Sequence, residues 1–233
     1  MLSPASLDAL VLAGGRSSRL GGTDKAGVVV GQGTLLDHAL AGAERIGARR
    51  TVVVGPPGLV AAPVLCVQET PAFGGPAAGV AAGLGVLSAD WVLVLACDLP
   101  RAPDVAFALR GALDEELDGD AEGGGIDGLC LQDAGGRVQW LAGIYRRAAL
   151  DRAVAALAGP DGLGLSGAPV RRLLGQLALR TVADPAGVGA DVDTWEDVDR
   201  ARTDSARGSA TPPDPSHAMR PDLTRSDPRE ARP

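Results

Sequence analysis

The sequence predicts an α/β fold, a doubly wound and mostly parallel sheet with helices on both faces, and three observations predict it. Apolar runs rich in valine and leucine alternate along the chain with segments of helical period. Those runs are nearly continuous, without the in–out alternation of a strand that has one face in water, so they read as strands covered on both sides. The chain of 233 residues is 45% hydrophobic but only 3% aromatic, and a core of Ala, Val and Leu suits closely layered strands and helices.

The strand candidates are Asp8–Ala13, Arg50–Val54, Val64–Val67, Trp91–Ala96, Gly128–Gln132, Val138–Ala142 and Leu179–Ala183. The helix candidates are Leu35–Ile46, Ala77–Leu87, Asp104–Leu117, Arg147–Leu157, Val170–Leu177 and Trp195–Ala201. In the first helix Leu36, Ala39, Leu40, Ala43 and Ile46 form one apolar stripe, with Thr34 placed to cap it and His38 on the other face as a packing or surface residue. Asp133–Gly136, between two strand-like runs, reads as a hairpin turn, so one strand pair is expected to be antiparallel.

Composition then sets the limits. A net charge of −7 argues against a nucleic-acid binder relying on a basic surface. Cys66, Cys97 and Cys130 are odd in number and show no CxxC spacing, which fits a reducing cytoplasm better than a disulfide framework or a cysteine zinc site. The apolar stretch Ala77–Cys97 is broken by Gly79, Gly83, Gly85 and Asp90, so it reads as helix, turn and strand, with no membrane span expected. The N-terminus has no basic flank and meets Asp8 before an apolar run forms, unlike a signal peptide. Residues 203–233 hold six prolines, five arginines and five acids, with Met219 and Leu223 their only large apolar side chains. Such a segment buries too little to offset its ordering entropy. The expected organisation is one domain over residues 1–202 and a disordered C-terminal tail over 203–233.

The chemistry gathers at strand ends. The first strand runs into GGRSSRLGGTDK, and in a doubly wound sheet ligands bind beyond the carboxyl ends of the strands. Gly14 and Gly15 leave backbone N–H groups open to an anion, while Arg16, Arg19 and Lys25 add positive charge, a combination that suits a triphosphate. Of 22 basic residues Lys25 is the only lysine. The loop is neither a Walker motif nor a dinucleotide fingerprint, because the spacings GxxxxGK and GxGxxG are both absent from it. Asp98, in LACDLP, comes directly after a continuous apolar strand; it can serve as a hard oxygen ligand for Mg²⁺ on phosphate oxygens, or as a turn aspartate ahead of Pro100.

Five motifs in order carry a resemblance. LAGGRSSRLGGTDK (residues 12–25), GGPAAG (74–79), CDLP (97–100), QWLAGIY (139–145) and DVDTWED (191–197) resemble the signature segments of the nucleotidyltransferases that include molybdenum cofactor guanylyltransferase. The resemblance covers residues 8–202 and implies a Rossmann-like nucleotidyltransferase fold. It implies that Leu12, Ala13, Gly14, Gly15 and Lys25 hold the nucleotide phosphates. Thr70, Gly75, Pro76, Gly79 and Asp98 would complete the nucleotide site. Asp98 and Asp193 would bind Mg²⁺, while Lys25 and Arg19 neutralise the departing charge. Departures are Gly55 where relatives often carry Asn, Thr70 where an acid is common, and Trp140 and Trp195 in place of prolines. The implied reaction is transfer of GMP from GTP to a molybdopterin-type cofactor bearing molybdenum, with release of pyrophosphate, by a cytoplasmic monomer or small homo-oligomer. Alternatives are a cytidylyltransferase or another small-phosphate transferase of the same superfamily, and a nucleotide-binding regulator without turnover.

Overall fold

A computed structural model describes residues 6–14, 24–119, 125–184 and 186–208. Its strands are β1 (Leu7–Leu12), β2 (Val29–Val30), β3 (Gly33–Thr34), β4 (Thr51–Val54), β5 (Leu65–Val67), β6 (Trp91–Ala96), β7 (Gly128–Asp133), β8 (Val138–Arg146) and β9 (Leu179–Asp184). The helices are α1 (Leu35–Arg45), α2 (Pro76–Leu84), α3 (Ala102–Gly119), α4 (Arg147–Ala158), α5 (Val170–Leu174) and α6 (Trp195–Gly208). The main sheet has the order β5-β4-β1-β6-β8-β7-β9, and β2 and β3 form a separate small hairpin. β1 pairs in parallel with both β4 and β6, whereas β8 runs antiparallel to β6 and β7. The expected mostly parallel sheet is therefore present, and the turn after Asp133 joins an antiparallel pair as the sequence suggested.

Both faces of the sheet are covered. On β1, Leu7, Ala9 and Val11 join one apolar cluster and Leu10 the other; on β6, Trp91, Leu93 and Leu95 oppose Val92 and Val94 in the same way. The first cluster takes its helical side from α1 and α3, through Leu36, Ala39, Val105 and Leu109. The second takes it from α2, α4 and α5, through Val80, Leu84, Leu150 and Leu173. This is why the strands read as unbroken apolar runs. Asp8 is the exception, 1% exposed, and its carboxylate accepts hydrogen bonds from the N–H groups of Ser88 (2.8 Å) and Ala89 (2.9 Å), fixing the turn that leads into β6. A buried carboxylate with two such donors is compensated.

Close layering needs small residues at the crossings. A Cβ on Gly42 of α1 would lie 2.9 Å from the Ala102 carbonyl oxygen at the start of α3, so this glycine sets the approach of the two helices. On the other face a Cβ on Gly79 would meet Leu12 at 2.9 Å, letting α2 lie directly on β1.

Thr34 caps α1 as expected, in a reciprocal box: Asp37 N–H donates to Thr34 Oγ1, and Thr34 N–H donates to the Asp37 carboxylate at 2.8 Å. His38 is half-buried with Nε2 2.8 Å from the Val30 carbonyl oxygen. Three differences from the sequence expectations have local causes. α2 and α5 stop early, against Gly85 and Gly175. The β2–β3 hairpin was not expected, because two-residue strands carry no periodicity; Gly31 turns it with φ +63°. α6 continues past 202 to Gly208, since Arg202 Nε donates to the Val29 carbonyl (3.1 Å) and Thr203 Oγ1 to the Asp199 carbonyl (2.9 Å). Composition alone does not register such anchors. Residues 209–233 lie outside the described residues.

Replacing Asp8 by alanine leaves two buried N–H donors without an acceptor, so Asp8→Ala is expected to lower stability by about 1–3 kcal/mol. Asp8→Asn, which keeps an acceptor oxygen, should lose less. Urea midpoints of the three proteins at constant m-value check the order.

Candidate nucleotide and metal site

The strand order reverses at β1: the chain proceeds from β1 outward to β4 and β5, then returns to lay β6 on the other side of β1. Such a reversal leaves a crevice beyond the carboxyl ends of the two central strands. The register brings those ends level, with Leu12 opposite both Val54 and Ala96, and Cys97 N–H donating to the Leu12 carbonyl at 3.0 Å. Ala13-Gly14 at the end of β1 and Cys97-Asp98 at the end of β6 therefore share the crevice.

A cleft of about 330 Å³ opens there. Of the residues expected to bind nucleotide, Leu12, Ala13, Gly14, Lys25, Gly75, Pro76, Gly79 and Asp98 line it. Thr70 does not, and is exposed; its neighbour Glu69 lines the cleft instead. Gly15 and Arg19 lie outside the described residues. Asp24, Val54, Phe73, Ala96, Cys97 and Leu141 also line the cleft, and the motifs had not singled them out as binding residues. Phe73 has φ +62°, a left-handed conformation that is uncommon for a bulky residue, and its side chain is 56% exposed. For Phe73 the sequence carries no signal. For Glu69 the signal was there, an acid shortly before the glycine loop, one position away from Thr70.

Gly75 precedes α2 with φ +89° and ψ 177°, and Pro76 occupies the first turn, where its missing N–H costs nothing. No side chain caps this helix. At Gly55, where relatives often carry Asn, a Cβ would lie 2.7 Å from Leu59 Cδ1, so a side chain there would require Leu59 to turn aside.

The charged centre joins three distant parts of the chain. Lys25 Nζ donates to Asp98 Oδ2 at 3.2 Å and to Asp193 Oδ1 at 2.5 Å. Asp98 comes from the sheet. Lys25 opens a 3₁₀ turn (Lys25–Gly27) that Asp24 caps by accepting from Ala26 N–H. Asp193 is held by its surroundings: Val192 N–H donates to the Asp98 carbonyl at 3.0 Å, and Asp193 N–H donates to the Asp197 carboxylate at 3.2 Å. Asp197 also accepts from the Thr194 N–H (2.9 Å) and hydroxyl (2.7 Å), and these bonds hold its carboxyl below the usual range. A small apolar cluster of Val28, Val30, Leu35, Val192 and Val198 clamps the Lys25 segment to the Asp193 segment.

Burial and charge act in opposite directions on this centre. Burial lowers the affinity of the Lys25 amine for its proton, but the hydrogen bond and charge of Asp193, with Asp98 adding to them, outweigh it and raise the ammonium above its ordinary value. Lys25 thus stays charged through neutral pH. Burial raises the Asp98 carboxyl, and the Lys25 ammonium only partly offsets this. Burial, with the Asp98 charge adding to it, pushes the neighbouring Cys97 thiol up to about 12.

Asp98 and Asp193 already hold a cation between them. Among the described residues no group of three or more His, Cys, Asp or Glu converges to enclose a metal. Two carboxylates at a phosphate-sized cleft form the donor set that Mg²⁺ favours, since that ion takes one or two carboxylates and draws its other ligands from water and substrate phosphates. The residues fit the ion.

The model of the MobA-like NTP transferase domain matches residues 9–181. The molybdenum cofactor guanylyltransferase of Cupriavidus metallidurans is 37% identical over 123 residues, 50% of this chain and 59% of that protein. That of Acidiphilium cryptum is 30% identical over 207 residues, 85% of this chain and 95% of that protein. Several curated relatives are thus matched over about 59% of their length. A Mycobacterium tuberculosis protein crystallised in complex with manganese shares the fold, with a TM-score of 0.58 and 22% identity over 86% of this chain and 100% of that one.

The thiol environments give a direct check on the site's burial. Thiolates, not thiols, react with alkylating reagents. Cys97 is 7% exposed, and Cys130 is buried with its thiol pushed up to about 11, while Cys66 is half-buried. Iodoacetamide at pH 8 should label Cys66 first and reach Cys97 and Cys130 only on unfolding, as read by peptide mass spectrometry.

Proposed function

This chain belongs to the MobA-like NTP transferase family, and on that premise we propose that it transfers a nucleoside monophosphate, GMP from GTP, to a phosphate-bearing molybdopterin-type acceptor. The single observation that carries the reading is the Lys25 ammonium held by Asp98 and Asp193 at the mouth of a cleft lined by Ala13, Gly14, Gly75 and Gly79.

The chemistry asks for positioning and charge stabilisation. An acceptor phosphate oxygen attacks the α-phosphorus; the new P–O bond forms as the bond to the β-phosphate bridging oxygen breaks, and pyrophosphate leaves with that electron pair. The Gly14 N–H, one residue beyond the Ala13 N–H that bonds the Val54 carbonyl, and the uncapped start of α2 offer donors to the phosphates. Lys25, charged through neutral pH, neutralises the departing oxygens, with Arg19 of the same loop as its partner in that role. Asp98 and Asp193 would hold Mg²⁺, which when bound supplies further charge neutralisation between phosphate oxygens. With that charge on the carboxylates compensated, the Lys25 ammonium would be available to the phosphates.

Base choice rests on donor pattern. Guanine presents two adjacent donors, N1–H and the exocyclic amine, and a carboxylate accepts both at once. Glu69 lines the cleft beside Gly74 and takes no part in the Lys25 ion pairs, so it is the group to read them; cytosine and adenine place an acceptor next to their amine and leave one carboxylate oxygen unpaired. Free Cys66, Cys97 and Cys130 and the nature of the acceptor fit a cytoplasmic enzyme. Among the described residues no helix is long and apolar enough to cross a membrane.

Calorimetry with GTP, CTP and ATP in the presence of Mg²⁺ tests the reading, with GTP expected to bind most tightly and Glu69→Gln to narrow its margin. Tighter binding of CTP would move the chain to cytidylyl transfer, and failure of every triphosphate to bind would overturn the reading. Lys25→Ala should cost about 10²–10³ in turnover without loss of fold, the usual effect of removing one preorganised charge donor. Asp98→Asn should raise the magnesium requirement more than Asp193→Asn, because Asp98 is fixed by the sheet; equal and negligible effects would remove both from the metal site.

A further inference from the structure

Among the described residues that line the nucleotide cleft, Phe73 alone is aromatic. The half-buried Trp140 lies instead in an adjoining groove of about 560 Å³, with Arg137 and Arg171, that meets the cleft at Asp98. Phe73 is the third residue of a tight turn closed by the Gly74 N–H, which donates to the Pro71 carbonyl at 3.1 Å. Its φ of +62° is the conformation for which that turn position favours glycine. A phenylalanine held there carries backbone strain that glycine would not. The core does not offset that strain: the residue is 56% exposed and belongs to none of the apolar clusters of the described residues. Strain kept at the rim of a binding cleft points to a task for the side chain.

The turn is braced from both sides. The Gly74 carbonyl accepts the Gly167 N–H at 2.7 Å, and Pro76 starts α2 two residues later. A Cβ on Gly74 would lie 3.5 Å from Glu69 Cγ, so the Glu69 side chain packs against the same turn. One fixed piece of backbone therefore brings a carboxylate and a flat apolar ring to the cleft, whose lining is otherwise kept small at Ala13, Gly14, Gly75 and Gly79. Every nucleobase has a π-face, and stacking one on an aromatic side chain strengthens binding roughly five- to a hundredfold.

We propose that Phe73 is the platform on which the nucleobase stacks, and that it gives the cleft a preference for fused-ring bases. The assignment rests on the nucleotidyl-transfer reading and adds to it a specificity-determining residue outside the motifs. A stacked purine shares more ring area with the phenyl group than a pyrimidine does, whatever groups its edge carries. Base choice is then divided between two residues of one turn: ring size falls to Phe73 and donor pattern to Glu69. The left-handed conformation sets the direction of the Phe73 Cα–Cβ bond, so the strain is what brings the ring to the cleft.

Phe73→Gly in the full chain removes the ring and suits the turn, so its urea midpoint should equal or exceed that of the unaltered chain. Calorimetry with Mg²⁺ present should show GTP bound about tenfold more weakly by this variant. Inosine triphosphate, which keeps the fused ring but lacks the exocyclic amine, should weaken by the same factor. Inorganic tripolyphosphate, which has no base to stack, should bind both proteins within about twofold of each other. Phe73→Trp should keep the affinity for GTP and lose more tryptophan emission on binding it than the unaltered chain does. Phe73→Leu, apolar but without a π-face, should bind GTP as Phe73→Gly does. The proposal is overturned if Phe73→Gly binds GTP as the unaltered chain does, or if Phe73→Leu restores full affinity. It is equally overturned if tripolyphosphate weakens as much as GTP, or if the urea midpoint of Phe73→Gly falls well below that of the unaltered chain, since the ring would then be supporting the loop. A loss confined to GTP, sparing inosine triphosphate, would replace stacking by an edge contact. The unaltered chain's own GTP titration separates the failures: binding that ignores Phe73 removes only the platform, whereas no binding removes the transfer reading and the platform with it.

Discussion

One ammonium held by two carboxylates is the constraint on which the site depends. Lys25, Asp98 and Asp193 are separated by 73 and 168 residues, yet meet within 3.2 Å. Removing the lysine would leave two carboxylates facing one another, and removing either carboxylate would leave the ammonium half-compensated in a partly buried place. Much of the surrounding structure delivers these three groups: the central strands deliver Asp98, the capped 3₁₀ turn delivers Lys25, and the Thr194–Asp197 bonds at the start of α6 deliver Asp193. The valine cluster between the hairpin and α6 ties the last two together.

The sheet explains why the centre lies where it does. Parallel strands buried on both faces have no side-chain freedom for chemistry along their length, so polar function is displaced to their ends. In β1 and β6 that division is sharp. Apart from Asp8, which serves the turn before β6, both strands are apolar throughout, and the residues that line the cleft's polar side follow two positions after they finish, Gly14 beyond β1 and Asp98 beyond β6. The aromatic-poor core has the same logic. Aliphatic side chains and glycines at the crossings let α2 lie directly on β1 and α1 approach α3 closely, which brings the Gly75 loop over the cleft.

The cleft and the groove beside it differ in charge and shape. The cleft is floored by backbone and small residues and carries one lysine; the groove has arginines from two elements and an indole. Lysine presents a compact charge that can move between carboxylates and phosphates, whereas arginine presents a fixed fork that suits one anion held in one orientation. Asp98 borders both spaces, so a group bound in either lies within reach of the same carboxylate.

The sequence by itself determined the layer architecture, most strand and helix positions, the cap on α1, the antiparallel pair and the identity of the strand-end residues, because these depend on short-range periodicity, capping chemistry and motif spacing. The apolar runs could be read only one way once both faces had to be covered. What the tertiary structure decided lies beyond local pattern. The β2–β3 hairpin is too short to show a period, and α6 runs on to Gly208 past an Arg202 bond to the Val29 carbonyl that no composition count registers. Glu69 rather than Thr70 lines the cleft, because the path of the chain before Gly74, not the spacing, sets which side chain turns inward. Arg137 and Arg171 carry no signal in the sequence and meet only because the β7–β8 turn and α5 reach the same groove. Convergence of residues far apart in the chain is a property of packing, and packing is where the sequence pattern stops being informative.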